Sequence, residues 1–249
     1  MVYDMNKKGF TLVEVLIAVV VGATIMAAVY GLMTMAQRTS SSTDRRVITQ
    51  QDTRAVLDLM AMEIRMASFN MQYNGSLWLN IPACWGIAVP TIPANGASRK
   101  GILQADANRL AFAMDLDSDN QFTSNNEYIR YSYDGATTLS RATMTGGACG
   151  AAQNILGGTA PFTNIRNAAE GVPMFRYFSA TGELGAGGTA VNIYNIRRIL
   201  ITIVSETESN DSNTGRPRRM VHSTNVIVRN HVLSPPHCNE TNKSLCVSP

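Results

Sequence analysis

The spacing of hydrophobic and polar residues divides the chain into three parts. The first is an uncharged apolar run from Val15 to Ala36, which at about 1.5 Å per residue spans about 33 Å and so matches a bilayer core of about 30 Å. The second part follows a polar stretch and is amphipathic, because its apolar residues recur three and four positions apart. Its apolar face is formed by Leu57, Met60, Ala61, Ile64 and Ala67.

These two parts are expected to form one continuous helix. No proline occurs before Pro82, so nothing in the sequence interrupts a helix between Phe10 and about Ser68. We expect residues 10–36 to be its transmembrane or filament-core half. Residues 37–68 are then its amphipathic half, with one face laid on a globular domain.

The third part, from Gly101 onward, has the period of two that is typical of β-strands. Asp134-Gly135 predicts a type I′ turn in one hairpin, and the polar residues 206–219 predict the loop of another. A long helix packed on an antiparallel sheet is an α+β fold. The predicted strands are residues 109–114, 127–133, 137–142, 174–179, 198–205 and 220–229.

Composition and charge narrow the classes of protein to which the chain can belong. The 249 residues are 45% hydrophobic and 16% charged, which excludes a disordered chain, a multi-span membrane protein and a collagen-like repeat. The net charge of +3 is too small to indicate a nucleic-acid partner. The apolar run is longer than the core of a signal peptide, so we expect it to be retained. Lys7 and Lys8 precede it, and by the positive-inside rule residues 69–249 form an extracytoplasmic head domain.

One charged residue interrupts this apolar beginning. Glu14 lies four residues after Phe10, inside the hydrophobic stretch. An unpaired acid in hydrocarbon costs on the order of 2.5 to 3.5 kcal/mol, so Glu14 is expected to have a cationic partner. A position in the first helical turn, near the headgroups, is the simpler alternative.

The residues around Glu14 read KKGFTLVEVLIA from Lys7 to Ala18. This segment resembles the leader junction of type IV pilins and pseudopilins. The resemblance implies that residues 1–9 are a leader, and that a prepilin peptidase cleaves after Gly9 and methylates the new amino terminus of Phe10. It also implies that Glu14 of one subunit neutralises the Phe10 ammonium of a neighbouring subunit in a filament. Both Met1 and Met5 remain possible starts.

The rest of the chain resembles the PilW-type minor pilins in the order of its features. Residues 109–134 are similar to the strand, acidic loop and strand of that group, and residues 195–230 to its closing hairpin. The resemblance implies a minor pilin of the priming or tip complex of a type IV pilus. Its partners would be other major and minor pilins, the prepilin peptidase and the inner-membrane assembly platform. The protein would cross the inner membrane once, with a periplasmic head before assembly and a place on the pilus at the cell surface afterwards.

Two other functions are compatible with these features. A minor pseudopilin of a type II secretion system has the same plan. A pilus-borne module could instead adhere to a surface or bind DNA, through the acidic loop or through Arg216, Arg218 and Arg219. No nucleophile elbow, zinc-protease motif or phosphate loop occurs in the sequence, so we do not expect an enzyme.

The acidic loop has the spacing of a calcium-binding loop. Asp115, Asp117 and Asp119 occupy positions one, three and five of an EF-hand-like sequence, Gln121 could offer its carbonyl, and Glu127 a later carboxylate. The usual glycine is replaced by Asn120, and the last acid comes one residue late. A solvated acidic turn is the alternative, so calcium is a possible cofactor and no other is expected.

Four cysteines lie in the part expected to be extracytoplasmic, where two disulfides would form. Three pairings are possible. We favour Cys84 with Cys149, and Cys238 with Cys246. A zinc site that includes His237 is an alternative without supporting spacing.

Overall fold

A computed structural model describes residues 9–72, 77–78, 81–87, 100–158, 163–185, 191–207, 210–211 and 214–233. Its first element is a single helix, α1, at Leu12–Arg65. The helix begins after Thr11 and ends before Met66, two or three residues inside each predicted boundary. The prediction of one uninterrupted helix is therefore confirmed.

The two halves of α1 have different surroundings. Its most apolar window has a mean hydropathy of 2.6 and no buried residue, and by length and composition it could cross a membrane. The second half packs on the head. The residues that it buries are Thr49, Thr53, Val56, Leu57, Met60, Ala61 and Ile64, and Ala67 is buried just after the helix ends.

The head is antiparallel, as predicted, but its strands form two sheets. The first sheet has the order β1-β2-β3-β4-β5, with β6 also paired to β4. The second has the order β11-β10-β8-β9, with β7 also paired to β10. The strands are β1 (Ile102–Ala105), β2 (Arg109–Ala113), β3 (Tyr128–Tyr133), β4 (Leu139–Thr145), β5 (Ala148–Cys149), β6 (Gln153–Leu156), β7 (Thr163–Ile165), β8 (Phe175–Phe178), β9 (Glu183–Leu184), β10 (Arg198–Thr207) and β11 (Arg219–Ile227).

Short helices flank the hairpin of β10 and β11. A 3-10 helix at Ile193–Asn195 precedes β10, and α2 at Arg229–Leu233 follows β11. The hairpin of β10 and β11 is paired along its length, from Arg198 opposite Ile227 to Glu206 opposite Arg219. The second predicted hairpin is therefore confirmed, but its loop does not extend over all of residues 206–219, because Glu206, Thr207 and Arg219 lie in the strands.

The turn between β3 and β4 is different from the predicted one. The backbone N–H of Asp134 donates to the carbonyl of Thr138 at 3.1 Å, so three residues rather than two form the loop. The Asp134 carboxylate accepts the backbone N–H groups of Ala136, Thr137 and Thr138 at 2.7 to 3.0 Å. The side chain of Asp134 thus organises a wider turn than Asp-Gly alone predicts.

Hydrophobic residues lie on both faces of the first sheet. Leu110 and Phe112 of β2 belong to the main core, which contains the buried residues of α1 and of the second sheet. Ala111 and Ala113 point to a second cluster with Trp78, Phe122 and Cys84. Successive side chains of β2 therefore point alternately into the two hydrophobic clusters, which explains why four of its five residues are buried.

A buried serine joins the end of α1 to three other segments. Ser68 donates its backbone N–H to the Ala113 carbonyl at 2.9 Å, and its hydroxyl accepts the N–H of Gly101 at 2.8 Å. The same hydroxyl lies 2.7 Å from Nδ1 of the buried His231 in α2. We call these contacts the Ser68 junction. A side chain at position 101 would come within 2.3 Å of the Ala113 carbonyl, so the close approach requires glycine.

Candidate functional site

The first turn of α1 is held by its own side chains. Thr11 has an extended backbone, and its hydroxyl accepts the backbone N–H of Glu14 at 3.3 Å. This is the geometry of an N-cap, in which a threonine oxygen satisfies a helix N–H group that has no intrahelical partner. The helix therefore starts at a fixed place, one residue after the cap, and Glu14 lies in its first turn.

The residues before and after this cap are open to solvent in the isolated chain. Phe10 is 81% exposed, and every residue from 9 to 33 is exposed. A methyl group added at Gly9 would meet nothing within 4 Å. The fold of this chain thus gives no steric reason for a glycine at position 9, and the bond between Gly9 and Phe10 is accessible to another protein.

The carboxylate of Glu14 has no hydrogen bond or ion pair with any residue in the part of the chain that the structure describes. Its position near the positive end of the helix dipole is favourable. A dipole is nevertheless a weak substitute for a cation when the surroundings are apolar. The Glu14 carboxylate is therefore exposed at the start of the helix and has no partner among the described residues.

Comparison with known families bears on this segment. Residues 4–30 match a family described as the prokaryotic N-terminal methylation motif. The chain carries a prepilin-type methylation motif. Such motifs are a signal of type IV pilins and pseudopilins, which are substrates of prepilin peptidase. No curated protein and no solved structure matches the chain significantly.

The methylation motif contains all three of the residues predicted for processing and assembly. Gly9, Phe10 and Glu14 lie together at the open end of α1. Thr11 was not singled out from the sequence, although it could have been. A threonine followed three residues later by glutamate is the signature of a helix N-terminus, and here it overlaps the motif.

A second group of predicted residues lies far along the chain, in the loop between β2 and β3. One carboxylate oxygen from each member of this group lies within 4.8 Å of the others. We call it the acidic cluster. Asp115 and Glu127 are buried, whereas Asp117 and Asp119 are exposed. The members are Asp115, Asp117, Asp119 and Glu127.

Backbone groups fix the two buried acids of the cluster. The Glu127 carboxylate accepts the N–H of Leu116 at 3.1 Å and that of Ser124 at 2.9 Å. Burial raises the pKa of Glu127, and the charge of Asp117 adds to this effect, while the two N–H groups oppose it. One oxygen of Asp115 accepts the N–H of Ser118 at 2.7 Å. The loop thus brings four carboxylates close together, and none of them forms an ion pair with a described basic residue.

The structure explains why the last acid of this loop comes one residue late. Asn126, at the usual position of the acid, directs its side-chain oxygen to Arg141 at 3.0 Å and to Thr143 at 3.1 Å. Its backbone has a φ of 65°, and the next side chain, Glu127, turns into the loop. Gln121 is fixed through its N–H, which donates to Asp119 at 2.7 Å. Its carbonyl as a ligand remains a prediction.

Two of the four cysteines lie in the part of the chain that the structure describes. Cys84 and Cys149 form a disulfide, the pairing favoured from the sequence. It ties the buried Cys84 in residues 81–87 to β5 at the edge of the first sheet. Cys238, Cys246 and His237 lie outside the described residues, so the second pairing and the zinc alternative stay predictions.

Two of the three arginines considered for DNA binding are paired with acids. Arg218 lies 2.5 Å from the carboxylate of Asp211. Arg219 pairs with Glu206 at 2.8 Å and also with Glu170. These neighbours reduce the positive potential that the cluster would present to a phosphate backbone. The pattern favours a structural role in the β10–β11 hairpin for both residues.

Proposed function

We propose that this protein is a minor pilin, a structural component of a type IV pilus that is processed at Gly9 and takes part in the priming or tip complex. The observation that carries the proposal is the Glu14 carboxylate. It stands without a partner among the described residues, at the start of an apolar helix whose first half the head does not cover. A lone protein gains nothing from this arrangement, but an assembly of such helices does.

Processing would supply the missing partner. Cleavage after Gly9 creates an α-ammonium group on Phe10, four residues from Glu14 and at the same end of the helix. An ammonium and a carboxylate that are each costly in an apolar environment become acceptable as a pair. Pairing between neighbouring subunits would set the axial register of the helices. Because the Phe10 ammonium exists only after cleavage, an uncleaved subunit would lack this pair and would not assemble.

The proposal specifies location and partners. Before assembly the apolar half of α1 would lie in the inner membrane, with Lys7 and Lys8 in the cytoplasm and the head in the periplasm. The partners would be the prepilin peptidase, the inner-membrane assembly platform, and other major and minor pilins. After assembly the subunit would be part of the pilus at the cell surface.

A minor pseudopilin of a type II secretion system is the second candidate. It is supported by the same observation, because pilins and pseudopilins share the methylation motif. The two candidates differ in the assembly that contains the subunit. Recovery of the chain with sheared pili supports the first, and loss of protein secretion without loss of pili on deletion supports the second.

The first experiment is the mass of the amino terminus of the protein from native membranes. We expect a chain that begins with N-methylated Phe10. Gly9→Val should leave the leader attached, with the head folded normally, since the added side chain meets nothing within 4 Å. Gly22→Ala is the matched control, because a methyl group there also meets nothing within 4 Å, and it should be processed as the wild type is. An intact leader on the wild-type protein would contradict the proposal.

The second experiment separates assembly from processing. Glu14→Gln removes the charge and should yield a cleaved, folded subunit that no longer enters the assembly. Asp44→Asn, an exposed acid on the same helix beyond the apolar run, should assemble normally. Co-purification with the other pilins, measured after crosslinking in membranes, reports the difference. Equal recovery of both variants would overturn the role assigned to Glu14.

A further inference from the structure

We infer that the acidic cluster in the loop between β2 and β3 is a calcium site. The ligands are the carboxylates of Asp115, Asp117, Asp119 and Glu127, with the carbonyl of Gln121 and solvent completing a coordination of six to eight oxygens. Acidic loops are common on protein surfaces, and their spacing alone would not support a site. The argument depends on three observations about the groups in the loop.

The first observation is a buried oxygen with nothing to bind. Asp115 is fully buried, at 0% exposure. Its Oδ1 atom accepts the N–H of Ser118 at 2.7 Å, but its Oδ2 atom has no hydrogen-bond partner among the described residues. A buried carboxylate oxygen without a partner loses its hydration and gains nothing in return. A cation held among the four carboxylates supplies the missing interaction.

The second observation concerns charge. Four carboxylates carry a formal charge of about −4 when all are ionised. None of the ion pairs among the described residues includes a member of the cluster; the acids in those pairs are Glu63, Glu170, Glu183, Glu206 and Asp211. The other two buried acids of the described head, Glu206 and Asp211, are each paired with arginine, whereas no arginine forms an ion pair with the cluster. A divalent ion would provide the neutralisation.

The third observation is the size of the cluster. Two oxygens bound to one calcium ion at about 2.3 to 2.6 Å can be at most about 5 Å apart, whereas magnesium, at about 2.0 to 2.1 Å, limits them to about 4.2 Å. The four carboxylates offer oxygens within 4.8 Å of one another. This upper limit is compatible with the oxygen separations in a calcium coordination sphere. All the donors are oxygens, which suits a hard cation.

The site lies where the loop meets the residues that follow α1. Asp115 donates its backbone N–H to the carbonyl of Phe69 at 2.9 Å, and the side chain of Gln72 donates to the carbonyl of Ser118 at 2.5 Å. An ion that orders the loop would therefore also order the exit from the helix. Calcium would stabilise the connection between helix and head, and the effect would be visible in unfolding of the whole protein.

The test uses the full-length protein in detergent, freed of metal by a chelator that is then removed. Calcium chloride is added, and the melting temperature of the head is recorded. At a concentration about 100 times the dissociation constant, we expect a rise of about 5 to 10 °C. Asp117→Asn combined with Asp119→Asn should abolish the rise. These two exposed residues are chosen because their replacement leaves the buried contacts of the loop in place.

Asp58→Asn is the matched control, an exposed acid of α1 away from the loop, and it should keep the full rise. Magnesium chloride at the same concentration should give a smaller rise than calcium. An unchanged melting temperature in the wild type would overturn the inference, as would an equal rise in the loop variant and the control. The result is independent of the pilin proposal, because processing at Gly9 does not enter the measurement.

Discussion

The two halves of α1 are continuous in backbone and opposite in surroundings. From residue 9 to residue 33 every side chain is exposed, although most are apolar. From Thr49 to Ile64 the apolar side chains of one face are buried against the head, and the opposite face is polar. The head thus accounts for the sequence of the second half only. The first half is not covered by the described head, and by length and composition it could cross a membrane.

Two glutamates on this helix show the same contrast. The Glu63 carboxylate accepts hydrogen bonds from Nε and Nη2 of Arg141, at 3.1 and 2.7 Å, and from the hydroxyl of Tyr131. Its side chain is only 13% exposed. Glu14 has no such partner among the described residues. Glu63 is satisfied within the head and serves the fold, whereas Glu14 is the acid to which the proposed function assigns an intermolecular contact.

The largest difference in stability between the two halves of α1 is expected when one isoleucine is replaced in each half. Ile64→Ala removes a side chain that is 0% exposed in the core and should lower the free energy of unfolding by about 2 to 5 kcal/mol. Ile25→Ala, at 59% exposure, should change it by less than about 0.5 kcal/mol, because the head does not touch this residue. Denaturant unfolding of the full-length chain in detergent measures both. A similar loss in the two variants would mean that the apolar half contributes to folding of the head.

A smaller difference in the free energy of unfolding is expected between variants of Glu63 and Glu14. Glu63→Gln keeps the shape of the side chain but leaves the guanidinium of Arg141 without its charge partner, and should cost about 1.5 to 3 kcal/mol of unfolding free energy. Glu14→Gln should leave the stability of the head unchanged. The same unfolding measurement compares them. Loss of stability in Glu14→Gln would show that the head depends on this acid, against the role proposed here.

The smallest effect is a pH dependence that belongs to the head alone. Burial lowers the pKa of His231 to about 3, and the positive charges of Lys100 and Arg197 act in the same direction. The hydrogen bond to the Ile193 carbonyl opposes this lowering of the pKa. The unfolded chain binds a proton near pH 6.5, and the folded chain does not. Stability is therefore lost as pH falls below about 6.5, by about 1 kcal/mol between pH 6.5 and 5.5.

Unfolding at the two pH values measures this loss, and His222→Gln removes the contribution of a second histidine whose pKa burial also lowers. The slope should survive that substitution. An imidazole of His231 that titrates near pH 6.5 in the folded protein, followed by NMR, would contradict the assignment.

The fold was predictable where the hydrophobic period is long. The apolar residues of α1 recur at helical spacing from Leu57 to Ala67, and β10 and β11 are ten and nine residues long. Short strands carry too few positions to show a period, so five of them, with two to four residues each, were missed: β1, β5, β6, β7 and β9. The division into two sheets was also missed. Alternation tells which face is buried but not which strand lies alongside, and β10 pairs with both β7 and β8 on one edge.

The candidate sites were predictable for a different reason. Gly9, Phe10 and Glu14 lie within six residues, and the acids of the cluster lie within thirteen, so local spacing contains most of the information. The partners that come from distant parts of the chain were not predictable. Nothing near Glu63 in sequence indicates Arg141, which is 78 residues away. His231 and Ser68, 163 residues apart, are joined only by the folded head.

The Ser68 junction has a mechanical consequence. If α1 is pulled along its axis, the force that its packed face does not carry reaches the head beyond Arg65, where Ser68 is bonded at once to Gly101, to the end of β2 and to α2. Three bonds that are loaded together share the tension, whereas bonds that are loaded in sequence fail one at a time. The hydrogen bonds of the Ser68 junction thus resist the force in parallel. A pull would have to break several of them before α1 could separate from the sheets.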